Sequence, residues 1–389
     1  NKKLKKTANR FYPIAINGFR SVLSPLISIA FSYIIVTYFS KELWGNFVEY
    51  MLFFFLASLS ISWGSKNYLL RVFSKNPRNI VTDWQQLFLA RLVLCLVFIV
   101  SILVLFPFHL SVYLILWLLG LFFYDSFLSI IYYNRDYIIS ISIEIISFLN
   151  LILMLFFFRK NLDISILIRS YAFSVVIKAV MSIIFYKRFL KFKAFKFDFS
   201  LLKLSLPFFL LAISGFLQSK IDIYAFSIFY TGKLLGEYQI ISGFFIFSQS
   251  IVTLFLFPYI KNIYRMKKNS IVNLRGIIIR YGFFINLLIT ISIYYVLMYF
   301  FDIKLTTYQL IIGFFIGFPS YVYAIKIFYL FKYNRENKVV FISSLSLIIN
   351  LILSLMLLNS NFNITGVMLA NAIAQIFCMT YYLKIKIDA

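Results

Sequence analysis

The stretch 201–261, LLKLSLPFFLLAISGFLQSKIDIYAFSIFYTGKLLGEYQIISGFFIFSQSIVTLFLFPYIK, decides the fold. It is an apolar run with Pro207 near its start and Asp222 deep inside, a tight polar turn, and a second apolar run that closes on Pro258 and a basic loop. A helix needs about 20 apolar residues to cross a hydrocarbon layer of about 30 Å, and each run exceeds that length. The stretch therefore reads as a transmembrane hairpin, with the rest of the chain as further helices packed around it.

Composition extends that reading to the whole chain. Of 389 residues, 62% are hydrophobic and 13% charged, and the mean hydropathy is +0.91. A soluble domain is about 45–50% apolar, so the chain is a polytopic membrane protein with room for about twelve crossings. The expected helices are 11–38, 44–70, 84–106, 111–133, 137–158, 164–186, 201–230, 235–260, 276–301, 307–331, 339–358 and 364–385. The run from Phe11 to Phe39 is too long for a signal-peptide core and reads as a retained first helix.

The net charge of +25 does not imply nucleic acid, because the basic residues lie between apolar runs rather than on one soluble face. They report orientation. With the N-terminus in the cytoplasm, roughly 25 of the Lys and Arg fall on the cytoplasmic side, roughly 5 outside and roughly 8 within spans. Lys187, Arg188, Lys191, Lys193, Lys196, Lys261, Arg265, Lys267 and Lys268 carry much of this bias. Both termini are expected in the cytoplasm. The outer connections are a few residues long, too short for a catalytic domain.

The chain also repeats. Phe39-Ser40-Lys41-Glu42-Leu43-Trp44-Gly45-Asn46-Phe47 aligns with Tyr230-Thr231-Gly232-Lys233-Leu234-Leu235-Gly236-Glu237-Tyr238, about half the chain away. This predicts an all-α fold of two six-helix lobes, parallel repeats around a central cavity, divided as 1–186 and 201–389 with a basic cytoplasmic linker at 187–200.

The pattern Leu206-Pro207, Ile221-Asp222, Leu235-Gly236-Glu237-Tyr238 and Pro258 resembles the opening of the second half of Wzx-type polysaccharide flippases, relatives of the multidrug exporters and lipid II flippases. Gly45, Tyr50, Gly64 and Arg71 resemble the family's first half, so the likeness spans nearly the whole chain. The family often has an acidic residue just before the Gly64 position, where this chain has Trp63. The resemblance implies a non-enzymatic transporter of the bacterial inner membrane that flips undecaprenyl-pyrophosphate-linked oligosaccharide by alternating access, for O-antigen, lipopolysaccharide or capsule synthesis. It also implies a proton or sodium as coupling ion, no other cofactor, and a polysaccharide polymerase and chain-length regulator as partners beside membrane lipids.

Polar side chains in lipid are costly, about 2.5–3.5 kcal/mol for a central charge, so their stripes map a protein interior or a cavity. The first helix carries Asn17, Arg20, Ser21, Ser24, Ser28 and Ser32 at steps of three and four, with Pro13 and Pro25 able to bend it. The second offers Ser58, Ser62 and Lys66, the seventh Ser214, Gln218 and Asp222, and the eighth Gln239, Ser242, Gln249 and Thr253. Arg20, Asn17, Ser24, Lys66, Gln218, Lys220 and Gln249 are the candidate substrate-binding residues: cations for the pyrophosphate, amides and hydroxyls for the sugars. Asp222 is the ion-coupling candidate. Lys220, two residues away, points to the opposite side of an ideal helix, and which of the two meets the cavity stays open.

Asp125, Glu144 and Lys178 share stripes with serines and read either as cavity groups or as ion bridges between helices. Cys95 and Cys378 have no metal-ligand spacing, His109 sits in an outer turn, and Gly313 with Gly317 reads as a helix contact. No phosphate loop, catalytic triad or dinucleotide fingerprint occurs. Two alternatives remain: a membrane-embedded O-antigen polymerase or glycosyltransferase, which would want a sizeable outer loop, and a multidrug exporter, whose cavity should be acidic rather than basic.

Overall fold

A computed structural model describes residues 2–385 apart from 192–197, 257–262, 264, 265, 267 and 334. Pro258, Lys193, Lys196, Lys261, Arg265 and Lys267 therefore lie outside the described residues, as do the side chains of Pro13, Thr253 and Lys268. Of the linker, 187–191 and 198–200 are described.

Among the described residues the regular structure is helical throughout: α1 (Lys2–Tyr38), α2 (Lys41–Ser62), α3 (Ser65–Lys75), α4 (Ile80–Leu105), α5 (Phe108–Asn134), α6 (Tyr137–Phe157), α7 (Ile164–Tyr186), α8 (Ser200–Phe229), α9 (Gly232–Leu256), α10 (Lys268–Phe300), α11 (Thr307–Lys332), α12 (Glu336–Asn359) and α13 (Asn363–Lys384). Among the described residues, eleven spans are long and apolar enough to cross a membrane, with α2 and α3 counting as one. The 25-residue α9 is the remaining long helix. Each of the twelve helices expected from the sequence has its counterpart, and the chain is a multi-pass membrane protein.

One span departs from the expected single helix 44–70. It runs to Lys75 and breaks at Trp63–Gly64, where φ reaches 45° and 64°. The cause is the start of α8. The Trp63 ring stacks on Phe209 with centroids 4.2 Å apart, and its Nε1 donates to the Leu202 carbonyl at 2.8 Å. A Cβ on Gly64 would come within 2.5 Å of the Phe209 backbone nitrogen, so only glycine fits there. A break frees carbonyls that a continuous helix would satisfy. Arg91, 1% exposed, supplies a donor: its Nε bonds the Ile61 carbonyl at 2.7 Å and its Nη1 the Ser126 hydroxyl at 3.2 Å.

The chain forms two compact units, Asn1–Ile27 with Glu49–Ile213, and Ser28–Val48 with Ser214–Ala389. Lipid tails are as apolar as leucine, so each unit must be held by close packing and buried hydrogen bonds rather than by hydrophobic exclusion. In the first, Trp84 stacks on Phe88 and Phe127 at 4.9 and 5.1 Å and donates to the Ser126 carbonyl at 2.8 Å. The hydroxyls of Ser147 and Ser174 meet at 2.7 Å and tie α6 to α7.

In the second unit the two copies of the repeated motif pack on each other. A Cβ on Gly45 would lie 1.7 Å from the Gly232 carbonyl oxygen, and one on Gly236 would lie 2.9 Å from the Gly45 nitrogen. Lys41 Nζ pairs with Glu237 at 3.1 Å, and Trp44 Nε1 donates to Gln239 at 3.0 Å. Gly45 and Gly236, which align in sequence, thus touch in space. Gly313 and Gly317 are helix contacts: a Cβ there would strike the Phe245 ring at 2.2 Å and Asn286 Oδ1 at 2.3 Å.

Candidate functional site

Two buried polar clusters stand out, one in each unit. The first is built on Arg20. From α1 its Nε donates to Ser140 Oγ of α6 at 2.6 Å, its Nη1 donates to the Tyr132 hydroxyl of α5, and its guanidinium carbon lies 4.5 Å from the Tyr132 ring centroid. Lys66, carried on α3 just past the Gly64 break, puts its Nζ 4.1 Å from the centroid of the same ring. Tyr132 thus gathers two cations inside one unit.

Asp125 lies within electrostatic reach of Lys66, but no carboxylate makes a direct ion pair with either cation among the described residues. Among the described residues, ion pairs join Lys41 to Glu237 and Lys178 to Glu144, and neither Arg20 nor Lys66 has such a partner. Both are held by phenol and hydroxyl groups, which orient a cation without cancelling its charge. Lys178 shows the contrast: its Nζ lies 2.5 Å from Glu144 Oε2, and Tyr124 donates to the other carboxylate oxygen at 2.8 Å. Asp125 accepts from Ser58 at 3.1 Å. Of the sequence alternatives for these acids, the Glu144–Lys178 bridge is the one observed.

The rest of the α1 stripe divides. Asn17 is buried on α1 itself, and Ser21 bonds back to the Asn17 carbonyl at 2.8 Å. Ser24 and Ser28 are exposed, while Ser32 turns back to the Ile29 carbonyl at 2.8 Å. Two hydroxyls therefore serve the helix itself, a common use in membrane spans.

The second cluster surrounds Asp222 on α8. Its side chain is wholly buried. Oδ2 accepts from the Tyr238 hydroxyl at 2.6 Å, from Asn371 Nδ2 at 3.0 Å and from Ser242 Oγ at 3.3 Å, so α9 and α13 both converge on it. The Asn371 Oδ1 atom is buried with no hydrogen-bond partner. Asp222, Tyr238, Ser242 and that orphaned carbonyl form a set of hard oxygens, the donor chemistry a proton or a sodium ion takes. Among the described residues no group of three or more His, Cys, Asp or Glu forms a site of transition-metal type.

Of the other candidates in the second unit, Lys220 lies within electrostatic reach of Asp222. Gln218 Nε2 reaches Cys378 Sγ at 3.4 Å, and Lys220 is half-buried. Gln249 Nε2 donates to the Ile316 carbonyl of α11 at 2.9 Å, and Asn286 Nδ2 to the nearby Phe314 carbonyl at 3.1 Å. Both amides bond carbonyls on either side of Phe315, the residue whose own carbonyl Pro319 leaves without an amide donor. The structure brings Arg20 and Lys66 together and leaves Gln218 and Gln249 bonded to different helices.

Tyr132, Tyr124 and Asn371 are absent from the sequence-derived set. Tyr132 lies seven residues after Asp125 and eight after Tyr124, on the face already marked by Asp125 and Ser129, and that periodicity is the signal for it.

No protein-family model matches the sequence, and no curated protein does. Solved structures do. The chain is similar to lipid II flippase MurJ in an inward closed conformation, with a TM-score of 0.72 and 16% identity over 95% of this chain and 87% of that one. It is also similar to the Vibrio cholerae MATE transporter VcmN, with a TM-score of 0.59 and 14% identity over 99% and 98% of the two chains. A MATE protein in complex with MaL6 gives 0.50 and 13% over 96% and 93%. The chain has the two-lobed helical fold of these proteins.

Proposed function

We propose that this chain flips undecaprenyl-pyrophosphate-linked oligosaccharide units from the cytoplasmic to the outer leaflet of the bacterial inner membrane, for O-antigen, capsule or another surface polysaccharide. The observation that carries the reading is the pair of cations on Tyr132. Arg20 and Lys66 lie in spans, where charge is costly, and among the described residues no carboxylate pairs with them. Such a pair suits an anionic group presented within the membrane, and a pyrophosphate can take both cations at once. The fold supports it, since one similar structure is a flippase of lipid II.

In this reading Asp222 binds and releases the coupling ion as the lobes alternate, and a polymerase and chain-length regulator act downstream. Both termini face the cytoplasm. The test is flipping of a fluorescent undecaprenyl-pyrophosphate oligosaccharide by the purified full chain in vesicles, read as protection from an external quencher. Gradient-dependent transfer that is lost in Arg20→Ala is the expected result. Transport of organic cations with no movement of the lipid-linked sugar would replace the reading with that of a multidrug exporter.

A further inference from the structure

Away from both clusters, a cavity of about 640 Å³ opens where α12 begins and α13 ends, lined by Asn337, Lys338, Phe341, Tyr381, Lys384 and Ile385. This is within the range of small-ligand pockets, about 300–1,000 Å³. We propose that it binds the headgroup of an anionic glycerophospholipid, with the phosphodiester between Lys338 and Lys384 and an acyl chain laid along α12.

Three observations carry the assignment. First, the two lysines are available. The last carbonyls of a helix draw nearby cations, and on α13 that role is taken by the buried Lys326 of α11. Its Nζ donates to the carbonyls of Tyr382, of Leu383 at 3.0 Å and of Ile385 at 2.8 Å. Lys384 is thereby left to the cavity, and among the described residues neither it nor Lys338 has an ion-pair partner.

Second, the charge is complementary. The charged residues that line the cavity, Lys338 and Lys384, are both cations. A basic pocket between membrane helices at the lipid interface is the arrangement that recognises acidic headgroups.

Third, an apolar track leads away from it. Phe341, Ile348, Ile352 and Met356 lie on one face of α12 and are 57%, 49%, 51% and 62% exposed. The site therefore offers cations, interfacial aromatics and a lipid-facing stripe in the order in which a phospholipid presents phosphate, glycerol and chain.

The full chain is purified, stripped of lipid and given back phosphatidylglycerol or phosphatidylcholine, with retained lipid counted by native mass spectrometry and melting temperature read in parallel. Retention of phosphatidylglycerol should exceed that of phosphatidylcholine by at least about fivefold. The Lys338→Gln/Lys384→Gln variant should keep the lipid-free melting temperature and lose the preference, while Lys338→Arg/Lys384→Arg keeps it. Equal retention of the two lipids overturns the proposal, as does a preference that survives the Gln variant. Displacement of phosphatidylglycerol by stoichiometric undecaprenyl pyrophosphate also overturns it, by making the cavity a site for the carrier.

Discussion

The guanidinium of Arg20 lies 4.5 Å from the centroid of the Tyr132 ring and also donates to that residue's hydroxyl, so a single side chain holds the cation by its face and its edge. Each contact can be removed separately. Arg20→Ala should lower flipping at least about tenfold with normal protein levels, since about 1.4 kcal/mol of lost anion binding is tenfold. Tyr132→Phe keeps the ring beneath both cations and should cost less than Tyr132→Ala. Surface polysaccharide quantified beside protein abundance checks this, and full export by Arg20→Ala would remove Arg20 from the site.

Glu144 and Lys178 make the opposite case. Their side chains are 10% and 20% exposed and 2.5 Å apart. Removing one partner of a buried pair typically costs about 3–5 kcal/mol, because the other charge is stranded. Glu144→Gln should therefore lower the melting temperature in detergent. Adding Lys178→Met should restore most of it, and an unaltered melting temperature in the single variant would show that the pair does not stabilise the fold.

Asp222 separates coupling from structure. Asp222→Ala leaves the Tyr238 and Asn371 donors buried without an acceptor, at about 1–3 kcal/mol each, and should destabilise the protein. Asp222→Asn keeps the volume and one acceptor, so it should fold, bind substrate and lose the dependence of flipping on the ion gradient. A large fall in its melting temperature with coupling retained in the surviving protein would assign Asp222 a purely structural role.

Gly45 should tolerate nothing larger. Gly45→Ala drives a methyl into the Gly232 carbonyl and should cost about 1–3 kcal/mol through overpacking. Gly243→Ala, with nothing within 4 Å of the added carbon, is the control and should be neutral. Melting temperatures of the two variants decide it.

Orientation has a direct measurement. Cysteine placed singly at Asn161, Thr231 and Asn361, all exposed in connections between helices, should react with an impermeant reagent added outside cells. Protection of all three would put the termini outside.

The helices were legible because hydrophobic length alone sets a span, whereas the break at Gly64 was not, since the run 44–70 is apolar enough to read as one helix. Arg20 and Asp222 were legible as charges in lipid. What the sequence does not display is who meets whom. The task of Arg91, which bonds the carbonyl freed at Ile61, follows from a helix break imposed by Phe208 and Phe209, far away in the chain. The bond from Gln249 to the Ile316 carbonyl is likewise a tertiary event, and a polar stripe looks the same whether it faces a cavity or a neighbouring helix. Tyr132 was hidden for another reason: a tyrosine among 28 carries no charge to mark it.

The glycine contact between α2 and α9 bears on how the protein is made. Residues 28–48 are synthesised well before their partners, which begin at Gly232. Insertion into the bilayer and assembly within it are thus separate events, and the Gly45 notch stays unfilled while most of the first unit is synthesised. A nascent or truncated chain offers that notch to any matching surface nearby, including the same segment of another copy.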